Sequence, residues 1–322
     1  MTFFVRAAAA ALAVLALATG GPAQAQYPNK PVRLVLQFPA GGLADAVCRV
    51  LVNPLTQQLG QPILVENKPG ADGAIAGDLV AKSAPDGYTL FFATNSALSA
   101  VPAMRKSPPY DPVADFTPIS FIGRFPFFVY AHPGVPAKTL TELIEHARAN
   151  PGKLNYGSGN TTSILATAQL AMLANIQMVH VPYKGDAPMM PDLVAGRLQL
   201  SIASTSPGAP LAKEGKLRVL ATLLPERSAL APDAPTMTEA GLPGLTITPW
   251  AGLFGPARLP PDVVERLARA TQAVLARPEV KEQLGRYAFE GQSSTPAEMG
   301  TFLKEQYEVW RKTVKDVGIV PD

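Results

Sequence analysis

The chain has 322 residues, with 28 lysines and arginines against 25 acidic residues and a net charge of +3 at pH 7. A balance that close to neutral argues against a nucleic-acid partner. Cys48 is the only cysteine, which excludes an intramolecular disulfide and a cysteine-based metal cluster.

Residues 1–25 read as a cleaved signal peptide. Arg6 precedes an apolar run, Ala7–Ala18, and Ala23-Gln24-Ala25 supplies a small-x-small cleavage site. The run is too short for a membrane span of about 20 residues. A periplasmic protein starting at Gln26 is expected, without a lipid anchor because no cysteine lies at the cleavage point. The 33 prolines, without a repeat, indicate many short connections.

The first strand is read over Pro31–Phe38, nearly continuously apolar as a strand covered on both faces should be. A helix follows over Leu43–Leu59, with Pro54 expected to kink it and Gly60 to stop it. Ile63-Leu64-Val65 is a second strand, Ala74–Ala81 a helix of small residues and Tyr88–Ala93 a third strand. Strand–helix–strand–helix–strand with short links predicts a parallel α/β sheet. Asn95–Pro118 reads as loop, and Phe121–Ala131 as a strand-like run into a second domain. That domain holds a helix capped by Thr139-Leu140-Thr141-Glu142, and a strand, Leu154-Asn155-Tyr156, that feeds a turn and a helix around Leu165, Leu170 and Leu173. Strands at Val179-His180-Val181, Leu198–Ala203 and Leu217–Leu223 follow, with a helix over Met189–Gly196. An apolar run, Leu245–Phe254, leads back to the first domain. Two helices end the chain, one from Pro260-Pro261 and one set by the capping box Thr295-Pro296-Ala297-Glu298. Residues 26–124 plus 249–322 thus form one α/β domain, 125–248 an inserted second, and the cleft between them is the expected ligand site.

Catalytic tools are sparse. His132, His146 and His180 share no metal-binding spacing. Ser158, in Tyr156-Gly157-Ser158-Gly159-Asn160, misses the nucleophile-elbow spacing by one position and has no base assigned to it. No phosphate-binding Gly-Lys-Ser/Thr loop occurs. What stands out is a pair of donor-rich turns, each between a strand and a helix. One is Phe38-Pro39-Ala40-Gly41-Gly42-Leu43-Ala44-Asp45; the other runs from Tyr156 through Ser158, Gly159, Asn160, Thr161 and Thr162 to Ser163. Backbone N–H groups at a helix start bind an organic anion without a formal positive charge. Asp45, in a helix first turn, reads as an orienting group.

The chain resembles the Bug-type (TctC-like) periplasmic solute-binding proteins of tripartite tricarboxylate transporters. The resemblance rests on Tyr27-Pro28-Asn29-Lys30-Pro31-Val32-Arg33, on Phe38-Pro39-Ala40-Gly41-Gly42 with Asp45 and Arg49, and on Glu66-Asn67-Lys68-Pro69-Gly70-Ala71 with Gly73. It continues through Ala84-Pro85-Asp86-Gly87-Tyr88-Thr89-Leu90, Val181-Pro182-Tyr183-Lys184-Gly185 and Glu239-Ala240-Gly241. It implies a two-lobed periplasmic-binding-protein fold (Venus flytrap, type II) with the ligand cleft between two α/β domains. It implies a monomer without cofactor, metal or catalysis that hands a small organic carboxylate to membrane permease subunits. The Phe38–Asp45 turn would hold a ligand carboxylate, and the second-lobe turn, Asn95-Ser96 and Ala203-Ser204 would complete the pocket. Ile164 and Ala168 stand where the family commonly has His and Glu, and Ala203 where it commonly has Asp. Those losses argue against an amino-acid ligand and leave room for a bulkier, even aromatic, acid. A receptor signalling to a membrane sensor and an exported hydrolase using Ser158 are the alternatives.

Overall fold

The computed structural model describes residues 27–321; the expected signal peptide, residues 1–25, lies outside them. Two sheets organise the chain. The first has the order β11-β4-β10-β3-β1-β2, built from β1 (Val32–Leu36), β2 (Ile63–Asn67), β3 (Thr89–Thr94), β4 (Phe116–Arg124), β10 (Trp250–Pro256) and β11 (Glu290–Gly291). The second has the order β7-β6-β8-β5-β9, from β5 (Phe127–Ala131), β6 (Asn155–Ser158), β7 (Val179–Pro182), β8 (Leu200–Ser204) and β9 (Arg218–Thr222). The chain leaves the first sheet between β4 and β5 and returns to it at β10.

In each lobe three neighbouring strands are parallel. β1 pairs with β2 and β3 in the first, and β6 with β7 and β8 in the second. β10 runs antiparallel to β3 and β4, and β5 antiparallel to β8 and β9. Parallel strands need covered faces, and β1 shows how this is met. Val32, Leu34 and Leu36 join one buried cluster with Val47, Leu51 and Leu267, whereas Val35 joins another with Phe91, Trp250 and Met299. The parallel arrangement also brings the carboxyl ends of three strands to one edge of each lobe.

Several elements differ from the sequence expectation. The Leu43–Leu59 helix keeps its expected bounds and runs through Pro54 without a break. Its buried face, Val47, Cys48, Leu51, Leu55 and Leu59, lies on both sides of the proline, so packing outweighs a penalty of about 3 kcal/mol. Ser96–Met104, read as loop, is a π turn, Ser96–Ala100, running into a helix, Val101–Met104. A helix spans Thr205–Lys213 despite Gly208 and Pro210. The return segment carries three helices, Pro261–Leu275, Pro278–Gly285 and Pro296–Asp316, where two were expected. Among the described residues, no helix is long and apolar enough to cross a membrane.

Polar bonds tie the lobes where they meet. Gln169 donates to Thr246 and Thr313 Oγ1 at 3.4 Å each, and its Oε1 accepts from the Thr246 amide. Thr313 sits on the Pro296–Asp316 helix, whose start is the expected capping box: Thr295 Oγ1 accepts from Glu298 N at 3.2 Å, and Glu298 Oε2 from Thr295 N at 2.8 Å. Thr295→Ala should lower unfolding free energy by about 1 kcal/mol, the usual worth of such a cap. A urea titration with an unchanged slope would show it.

Candidate functional site

The first-lobe turn leaves β1 at Gln37. Ala40, Gly41 and Gly42 are exposed, and Gly41 has φ +86°, a conformation that favours glycine. The Leu43–Leu59 helix then starts with no side chain capping Gly42, so its first amides remain available. Asp45 holds this geometry. Its Oδ2 accepts from Gly41 N at 3.0 Å and Arg49 Nε at 2.8 Å, and its Oδ1 accepts from Asn67 Nδ2 at 3.0 Å. Asn67 Nδ2 also donates to Phe38 O. Asp45 is 3% exposed, and the Gly41 amide is committed to it. Hydrogen bonding from Arg49 first, then from Gly41 and Asn67, holds the Asp45 carboxyl down at about 2 against a usual 3.8.

Asn95 follows β3 and reaches across the cleft. Its Nδ2 donates to Thr162 Oγ1 at 2.8 Å, and its Oδ1 accepts from Trp250 N at 3.2 Å. Asn95, Ser96, Thr161 and Thr162 are all buried.

In the second lobe Asn160 caps the Thr161–Ala174 helix, its Oδ1 accepting from Ser163 N and Oγ. Its Nδ2 donates to Asp186 Oδ1 at 2.8 Å, while Asp186 Oδ2 accepts from Ser204 N at 2.9 Å and Ser204 Oγ at 2.6 Å. The polar atoms of Asn160 and Ser204 that were expected to face a solute are therefore engaged within the lobe. Ala203 is fully buried, and Gly159 is half-buried against Asp186. Asp186 was missed by sequence reading, where it looks like any acidic residue opening a helix.

Ser158 also has a partner that the sequence did not reveal. His180 Nε2 lies 2.6 Å from Ser158 Oγ, and the His180 ring stacks on Tyr156 with centroids 4.9 Å apart. The register explains it: Tyr156 pairs with His180 across β6 and β7, which places Tyr156, Ser158 and His180 on one face. Burial lowers the His180 pKa. Ser158 is 1% exposed, however, and among the described residues no side chain orients His180 through its other ring nitrogen. A hydroxyl so covered is poorly placed to attack a substrate.

The contact that these turns make across the lobes is the Asn95–Thr162 bond. A cavity of about 900 Å³ is lined by Leu43 of the first lobe, by Thr205, Ser206 and Lys213 of the second, and by Arg286 and Tyr287. Among the expected site residues it touches Leu43. The described residues contain no cluster of three or more His, Cys, Asp or Glu side chains able to hold a metal.

Comparison with known proteins places the chain. The model of the tripartite tricarboxylate transporter family receptor matches residues 47–319. The chain belongs to this receptor family. BugT of Bordetella pertussis is 33% identical over 91% of this chain and 90% of its own length. Two solved structures are similar throughout: an R. palustris protein with adipate, at TM-score 0.81 and 31% identity over 92% of this chain and 100% of that one, and the periplasmic binding protein BugD, at TM-score 0.78 and 31% identity over 91% and 99%. The two sheets and the double crossing are therefore the two-lobed periplasmic-binding-protein fold of a Bug-type, TctC-like receptor.

For this receptor the Asp45 shift sets a pH dependence. The folded pKa lies below the unfolded one, so the stabilisation is fully present above about pH 4 and fades as pH falls towards 2. Melting curves of wild type and Asp45→Asn should differ most at neutral pH and converge over that window.

Proposed function

We propose that the protein is a periplasmic receptor that captures a small organic carboxylate between its lobes and delivers it to the membrane subunits of a tripartite tricarboxylate transporter. It acts as a monomer without cofactor or catalysis, after removal of residues 1–25. The observation that supports this reading best is the first-lobe turn. An exposed Ala40–Gly42 backbone leads into an uncapped helix start, and the orphan amides with the helix dipole suit a carboxylate. Family membership and the adipate-bound relative point to the same ligand chemistry.

The ligand's carboxylate rests on the Ala40–Leu43 turn, with the Asp45 network keeping that turn in shape. Phe38 and Leu43 are half-buried beside it and give the solute apolar contact. From the second lobe, the Gly159–Thr162 turn and the Ser204 end of β8 close over the solute. Because Asn160 Nδ2 and the Ser204 amide and hydroxyl donate to Asp186, the second lobe offers shape and helix-start amides more than side-chain donors. That suits an acid with a substantial apolar body, including an aromatic one.

Native mass spectrometry of the protein as purified, followed by calorimetry with a panel of aliphatic and aromatic mono- and dicarboxylates, tests the reading. A 1:1 complex with an organic acid is expected; binding of amino acids alone would overturn the ligand class. Gly42→Val should weaken that binding at least about tenfold, or 1.4 kcal/mol. Its fold should survive, since Gly42 has φ −79° and ψ 171°, and an added Cβ would lie 3.7 Å from Pro39 O. Unchanged affinity in this variant would place the carboxylate elsewhere.

A further inference from the structure

All three parallel strands of the second lobe end at one half-buried carboxylate. β6 runs into Gly159-Asn160, β7 into Gly185-Asp186 and β8 into Ser204. Gly185, at φ +116°, turns the chain so that Asp186 opens the Asp186–Val194 helix. The carboxylate does not cap that helix. It accepts from Asn160 and Ser204, 26 and 18 residues away. Gly159 packs so closely that an added Cβ would collide with the Gly185–Asp186 backbone. Burial pushes the Asp186 carboxyl up from its usual value, against the pull of Ser204 and Asn160. Its three hydrogen-bond partners are all donors, the set an ionised carboxylate requires.

We propose that Asp186 is the positioning residue of the second-lobe half of the solute site, fixing the Gly159–Thr162 turn and the Ser204–Thr205 helix start in one arrangement. The link to solute binding rests on the receptor reading above. Asn160 makes the proposal sharp, because its two ends are not interchangeable. Its Oδ1 is held by Ser163 N at 3.0 Å and Ser163 Oγ at 3.2 Å, which leaves only Nδ2 for Asp186. In Asp186→Asn the new amide must turn its NH₂ either towards Ser204, which donates, or towards Asn160 Nδ2, which also donates. Adding Asn160→Asp restores a donor–acceptor match. One oxygen of residue 160 again caps Ser163, and the other accepts from the amide at 186. Aspartate is as good an N-cap as asparagine.

The experiment compares full-chain wild type, D186N and D186N/N160D by hydrogen exchange and by calorimetry with the tightest-binding acid of the panel. D186N should speed exchange at residues 159–162 and 204–205, and weaken the acid, by about tenfold or more, the scale of a lost charge-assisted bond. Exchange at residues 40–45 should not change. The swap should return both quantities to within about threefold of wild type. Wild-type exchange in D186N, or defects that the swap leaves in place, would overturn the proposal. Exchange restored without affinity would overturn the role in solute binding. Should D186N fail to fold, recovery of the swap variant decides. If no organic acid binds wild type, the carboxylate reading fails separately, and the exchange comparison still decides whether Asp186 positions these turns.

Discussion

Two carboxylates, the buried Asp45 in the first lobe and the half-buried Asp186 in the second, brace the loops at the strand ends. A strand-to-helix turn is useful to an anion only if its amides are free, yet free amides leave the loop without internal bonds to define it. Each carboxylate resolves that conflict in the same way. Asp45 takes one amide, from Gly41, and two side chains, Arg49 and Asn67. Asp186 takes one amide and one hydroxyl from Ser204 and the side-chain amide of Asn160. In the first lobe the helix-start amides that follow stay unspent, whereas in the second Asn160 Oδ1 takes the Ser163 amide.

The sheet topology makes this economical. Parallel strands β1, β2 and β3 bring their carboxyl ends to one edge, as do β6, β7 and β8 in the other lobe. Loops distant in sequence therefore converge, and one side chain can brace several of them. Asn67, at the end of β2, reaches both Asp45 and Phe38. β10 and β5, antiparallel to their neighbours, carry the chain between lobes near the same edge.

What the sequence made legible was local or periodic. The continuous apolar run of β1, the Gly41-Gly42 turn, the capping box at Thr295 and the inserted second sheet were all readable. The helix Thr205–Lys213 was not, because Gly208 and Pro210 argue against it locally. Gly208 is there for a tertiary reason: a Cβ would run into the Tyr130 ring. The Ser96–Met104 segment is helical and largely buried, a context that residue composition alone does not reveal. Asp186 and His180 were missed for the same kind of reason. Their partners lie 18 to 26 residues away, on neighbouring strands whose pairing no sequence spacing announces.

Asn95 occupies a different position in this scheme, since one side chain serves both a lobe and the gap between lobes. With Asn95 at 2% exposure and Thr162 at 3%, their bond is sealed from solvent. Parting the lobes along this edge strips Nδ2 of its protein partner, and a buried polar group left unmatched is costly. Water must therefore enter as the bond breaks, so that opening here is also a wetting step. Its equilibrium then depends on water activity as well as on solute. Excluded osmolytes, which favour buried surface, would hold the lobes together through this contact.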